Sequence, residues 1–182
     1  MKKSLLEPEK ELRNRLLAIT GIVELCEHNN YESVSVVLDW LKNTENFFEK
    51  YNYVQCAEIA GYRASILAGQ ITISEKRSLQ KKYVRKKAIE TIQPVQQILS
   101  HKYEEINSKL ENVRSLIKQI LVPAKEMGLI SYQKNIDLNS YIESLMLELK
   151  KNKQVAPLLN SAIITVGKYD VIRIIADELE FS

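Results

Sequence analysis

The sequence predicts an all-α protein, a helical bundle with an N-terminal helical lobe joined by a long helix to a small C-terminal helical lobe. Three observations carry this expectation. The 182 residues contain only five Gly and four Pro, while the good helix formers Leu, Ile, Glu and Lys abound. Apolar residues recur at three- and four-residue steps through most of the chain. Residues with capping chemistry stand where those periodic runs stop.

The first helix is expected over residues 8–28. Pro8 suits a first turn, Glu9 and Glu11 suit the positive end of the helix dipole, and Leu12, Leu16, Ile19, Val23 and Cys26 keep helical spacing. The "HNNY" segment interrupts the pattern, with Asn29 or Asn30 as cap. A second helix is expected over 31–50, with Val34, Val37, Leu38, Leu41 and Phe48 on its apolar side and Trp40 at the edge. "YNY" at 51–53 reads as a tight link into a third helix from about Tyr53 to Ala68, carrying Cys56, Ile59, Ala60, Ala64 and Leu67. Two helices joined by so short a link favour an antiparallel hairpin. The pair has the size of a tetratricopeptide unit but lacks that repeat's signature positions.

Gly69 then reads as a helix C-cap. Thr72 and Glu75 fit the spacing of a capping box, with Ser74 as the alternative cap. A fourth helix is expected from there to about Thr91, kinked or ended by Pro94. A fifth spans roughly 95–121 through Val95, Ile98, Leu99, Tyr103, Ile106, Leu110, Val113, Leu116, Ile117 and Ile120. Pro123 ends it or restarts a short turn that Gly128 closes.

In the last third, "NIDLNSYIESLMLELKKN" is a helix capped by Asp137 or Asn139, with Leu138, Ile142, Leu145, Met146 and Leu149 on one face. "APLLNSAIITVGK" has Pro157 near a helix start and Gly167 near its end. Its "AIITV" also suits a strand, but a lone strand has no partner here, so a helix is expected. "YDVIRIIADELEF" closes the chain with Val171, Ile174, Ile175 and Leu179 at helical spacing. The expected organisation is an N-terminal lobe over 1–95, a connecting helix over 96–124 and a C-terminal lobe over 125–182.

The net charge is +3, from 26 basic and 23 acidic residues, so a claim about a charged partner rests on local clustering. No signal peptide is legible in "MKKSLLEPEKELRNRLL", which turns acidic before any apolar core. The most apolar stretch, Val155 to Gly167, is too short for a membrane span and is broken by Pro157, Asn160, Ser161 and Thr165. Cys26 and Cys56 have no metal or redox spacing. Reduced thiols, a cytoplasmic location and no membrane partner are the expectation.

Catalytic chemistry is not legible. The two histidines, His28 and His101, lack the upstream Arg of the helical HEPN ribonucleases. Cys26 and His28, two apart on a helix, point to different sides. Gly167–Lys168 lacks the rest of a phosphate-binding loop, and no metalloprotease, nucleophile-elbow or dinucleotide motif occurs. No catalytic, cofactor or metal residue is assigned. An enzyme built from scattered residues such as Glu58, Tyr62 and Arg63 is a third reading that the sequence leaves open.

What stands out is a basic run. From Lys76 to Lys87 there are seven Lys/Arg: Lys76, Arg77, Lys81, Lys82, Arg85, Lys86 and Lys87. At 100° per residue these charges spread around a helix whose inward line is Val84, Ala88 and Ile92, with Leu79 and Tyr83 on another side. A DNA-reading helix concentrates its charge and carries polar base readers, of which there is mainly Gln80. Such a run reads first as an ordinary solvated helix surface; as a functional surface, the expectation is a protein-docking region over Arg77, Lys81, Arg85 and Lys86. Nucleic-acid association, as an accessory or regulatory protein, is the second choice.

The hairpin and the stretch after it carry a resemblance. Arg63, Gly69, Ile71–Thr72 or Ile73–Ser74, and Glu75, followed by Arg85, Ala88, Ile89 and Ile92, resemble a pattern of the death-like, effector-associated helical domains of bacterial conflict systems. Lys76 stands where that pattern has a second acid, and the glycine-to-alanine spacing is about two residues longer. The resemblance covers residues 31–95 at most. It implies a non-enzymatic adaptor that pairs with a like module and couples a sensor, such as a STAND ATPase, to an effector in bacterial defence or signalling.

Overall fold

The computed structural model describes residues 4–28, 32–71, 77–130 and 137–180. Among these residues there are seven helices and no strand: α1 Leu6–Glu27, α2 Ser33–Lys50, α3 Cys56–Ile71, α4 Arg77–Glu126, α5 Leu138–Lys151, α6 Ala156–Val166 and α7 Lys168–Glu180. The all-α class is therefore observed. The expected caps at Asn29 or Asn30 and the Thr72, Ser74 and Glu75 restart lie outside the described residues.

The chain divides into two compact units, residues 10–103 and residues 1–9 with 104–182, and α4 contributes to both. In the first unit, α2 packs on α3. The α2 stripe is Ser33, Val37, Trp40, Leu41, Thr44, Phe47 and Phe48, all buried, at the spacing of one helix face. Trp40 lies within that stripe and not at its edge. The α3 stripe runs through Ile59, Ile66 and Gly69, while Ala64 is exposed. The link between these helices closes tightly because Asn52 adopts a left-handed φ of 55°. The amides of Tyr53 and Asn52 then reach the carbonyls of Phe48 and Glu49 at 2.8 and 2.9 Å, which satisfies acceptors that the end of α2 would otherwise orphan.

A polar seam holds α1 to α2. Glu11 accepts from Lys50 Nζ at 2.7 Å and from the Tyr51 hydroxyl at 3.0 Å, and Arg15 Nη2 donates to the carbonyl of Asn43. The Arg15 guanidinium lies 4.5 Å from the Phe47 ring centroid, and Lys102 Nζ lies 4.1 Å from that of Tyr53. Between α2 and α3, Arg63 Nε donates to Glu45 Oε2 at 2.7 Å.

Pro94 does not end the helix, so the long helix begins at Arg77 and not at 96. Proline inside a helix forfeits one backbone bond and costs about 3 kcal/mol. Thr91, Ile92, Val95 and Leu99 are all buried around it, and each large apolar side chain buried contributes roughly 1.5–3 kcal/mol. Burial of this stripe outweighs the lost bond. Nor does Pro123 end the helix. Gly128, at φ 69°, closes it, with the amides of Leu129 and Gly128 returning to the carbonyls of Ala124 and Lys125.

In the second unit, α5, α6 and α7 pack on one another. Asp137 caps α5, accepting from the Ser140 amide at 3.1 Å, and Tyr141, Ile142, Leu145, Met146 and Leu149 form its buried face. "AIITV" is helical, within α6, which has proline in its first turn and ends at Gly167 with φ 95°. The start of α1 is held here by Asp170 of α7. This carboxylate is fully buried and accepts from Ser4 Oγ at 2.7 Å and from the amides of Leu5 and Leu6 at 2.5 and 3.3 Å. It caps a helix more than 160 residues upstream of itself.

Candidate interaction surface

The first turns of α4 bury the line expected of them. Val84, Ala88 and Ile92 face the core of the first unit, and Thr91, Val95 and Leu99 extend that line. Two contacts seat the helix. On one side Gln80 Nε2 donates to the carbonyls of Gln70 at 2.6 Å and Gly69 at 3.4 Å, covering acceptors at the end of α3. On the other side Arg85 Nη2 donates to the carbonyl of Cys26 in the last turn of α1.

Gly69 takes a different role from the one expected. It lies inside α3, which continues to Ile71, and its φ is not positive. A Cβ at this position would stand 3.1 Å from Cε1 of Tyr83 and 3.4 Å from Cγ2 of Val84. A side chain here would press on Tyr83 and Val84, so glycine suits the close approach of α4.

The four predicted contact residues divide. Arg77, Lys81 and Lys86 are exposed, as is Lys82. Among the described residues no carboxylate pairs with Arg77, Lys81 or Lys82, and Lys86 stands 3.8 Å from Glu90 in a solvent-exposed pair that contributes little. Arg85 is half-buried and engaged with α1, so it positions the helix. Lys76 lies outside the described residues.

The structure adds an apolar element. Ile71, Leu79 and Tyr83 are 78%, 56% and 53% exposed, and the Tyr83 and Gln80 contacts draw the end of α3 alongside α4. Leu79 and Tyr83 are one turn apart on α4. Ile71 was not legible as part of α3, because Gly69 reads in sequence as a stop.

The residues of the enzyme reading are only partly assembled. Glu58 and Tyr62 line an open cleft of about 440 Å³ between α3 and α4, with Gly61, Ser65, Lys87, Glu90 and Thr91. The Tyr62 hydroxyl donates to Glu58 Oε1 at 3.3 Å. Burial and the neighbouring Glu58 charge raise the pKa of Tyr62, which keeps it a neutral donor. Arg63 is turned to Glu45.

Cys26 is buried and Cys56 half-buried, and both are free thiols. Burial pushes the Cys26 thiol up, against the opposing influence of the nearby Arg85 charge and a Ser33 hydrogen bond, so it is a poor nucleophile. Both histidines are exposed. Among the described residues no group of three or more His, Cys, Asp and Glu is arranged to hold a metal ion, and no helix is long and apolar enough to cross a membrane. Comparisons of the chain with protein-family models, with curated proteins and with solved structures find no match.

Proposed function

We propose that this chain is a non-enzymatic protein–protein interaction adaptor whose docking surface is the basic start of α4. The observation that carries the reading is that the first turns of α4 expose the bases Arg77, Lys81, Lys82 and Lys86 together with the apolar Leu79 and Tyr83. Partner interfaces combine desolvated apolar and aromatic anchors with a polar rim, and rim charges supply specificity and association rate. The partner that fits has an acidic surface. The conflict-system resemblance supplies a setting: a cytoplasmic module that couples a sensor to an effector in bacterial defence or signalling.

Gln80 favours a protein partner over base recognition. It is the main polar base reader available on this helix, and its amide nitrogen is spent on the carbonyls of α3.

Affinity capture with the tagged chain and with an Arg77→Glu/Lys81→Glu/Lys86→Glu variant, from nuclease-treated lysate, tests the proposal. The wild type retains an acidic-surfaced protein that the variant loses while remaining folded. Equal capture by both, or loss of all capture on nuclease treatment, contradicts it. The second result would favour nucleic acid.

A further inference from the structure

The opposite charge is present in the same unit. Residues 16–41 contain four acids, Glu24, Glu27, Glu32 and Asp39, and no Lys or Arg, whereas residues 76–87 contain seven bases and no acid. The Arg85 contact to the Cys26 carbonyl brings the last turn of α1 to α4, one turn on from Lys81. Glu24 and Glu27 are exposed on that turn, as Arg77 and Lys81 are on α4, and among the described residues no ion pair joins the two sets. The folded chain therefore does not spend these charges on one another.

Two patches of opposite sign on one chain are complementary across a two-fold axis, because each copy then presents its acids to the other's bases and every contact is made twice. We infer that the acidic partner of the α4 surface is a second copy of this chain, paired through Glu24 and Glu27 of one copy and Arg77 and Lys81 of the other. This inference rests on the docking reading given above.

The outer face of α1 supplies a second, independent observation. Leu17, 67% exposed, and Gly21 lie on the same face as Glu24, at four- and three-residue steps. A glycine inside a helix lowers its stability relative to alanine. A Cβ at Gly21 would meet nothing within 4 Å, as at Gly61, so the chain's own packing explains neither glycine, unlike Gly69; Gly21 is the one on a face with Leu17 and Glu24. The approach of a second α1, with Leu17 as the apolar contact, gives Gly21 a steric reason.

The test is the solution mass of the full chain by light scattering, at low and moderate salt, with circular dichroism to establish that each variant is folded. The expected result is a dimer that weakens as salt screens the pairs. Glu24→Lys/Glu27→Lys alone and Arg77→Glu/Lys81→Glu alone each lower dimer affinity by about a hundredfold or more, because like charges then face each other. An equimolar mixture of the two variants recovers a dimer, since each reversed patch meets its reversed complement. Gly21→Leu, which touches no charge, also gives a folded monomer. A monomeric wild type at low salt overturns the inference, as does a dimer indifferent to both reversals or a mixture that stays monomeric. If the wild type is monomeric while the Arg77/Lys81/Lys86 reversal still abolishes capture of a partner, the second copy is wrong and the docking reading survives. If capture is also unchanged, both fail.

Discussion

Replacing Asp170 with alanine should loosen the start of α1 from the C-terminal unit. The carboxylate is fully buried and takes three donors: the Ser4 hydroxyl and the amides of Leu5 and Leu6. Alanine leaves these donors unmatched. Each buried unmatched donor costs about 1–3 kcal/mol, and loss of an N-cap alone costs roughly 0.5–2 kcal/mol. The site is only partly closed, which lets water recover some of the loss, so a total near 3 kcal/mol is expected. For a chain of this size that is a fall of roughly 6–12 °C in melting temperature. Asp170→Asn keeps one carbonyl acceptor and loses the favourable charge at the helix start, so about half the effect is expected. Thermal melts followed by circular dichroism measure the total, and hydrogen exchange at Leu5 and Leu6 locates it. An Asp170→Ala protein within about 0.5 kcal/mol of wild type, the range of ordinary surface substitutions, would refute the assignment of Asp170 as the cap.

Four further outcomes follow from the same structure. Pro94→Ala restores a backbone bond inside α4 and should stabilise the protein by about 1–2 kcal/mol in urea titrations, after allowing for the greater freedom of the unfolded chain. Ile66→Ala, which empties a fully buried position on α3, should cost about 2–5 kcal/mol in the same assay. Gly69→Leu should displace Tyr83 and separate α3 from α4, read as faster hydrogen exchange across residues 77–84, whereas Gly61→Ala, where a Cβ meets nothing within 4 Å, should not. Burial alone would raise the Glu11 carboxyl, but hydrogen bonds from Lys50 and Tyr51 and the charges of Lys50 and Arg15 hold it below its ordinary 4.5. The folded chain then binds fewer protons here than the unfolded chain. The stability from this seam is present above that ordinary value and is lost as pH falls through the folded one, so Glu11→Gln should flatten the acid limb of the stability profile.

Much of the fold was legible because its signals are local. The three- and four-residue periodicity gave the helices, and Pro157 with Gly167 the limits of α6; of the two caps open for α5, Asp137 or Asn139, the structure uses Asp137. The misread positions share a cause: their local chemistry is overruled by packing. Pro94 reads as a break, yet the apolar stripe around it remains buried and carries the helix through. Gly69 reads as a cap, yet its missing Cβ serves the approach of Tyr83 and Val84. At the candidate surface, the charges of Arg77, Lys81 and Lys86 were legible from the basic run. That Arg85 would be drawn into the carbonyl of Cys26, 59 residues away in sequence, was not. Neither was the approach of Tyr83 to Gly69, which depends on the closure of α3 against α4.

The docking claim is tested most directly by amine footprinting. Lys81, Lys82 and Lys86 on the candidate surface and Lys109 and Lys151 in the other unit are all exposed, so all five should acylate readily in the isolated chain. When the chain is engaged with its partner, or is driven into self-association at low salt, the first three should be protected while Lys109 and Lys151 stay reactive. Unchanged reactivity of Lys81, Lys82 and Lys86 in the engaged state would contradict the account.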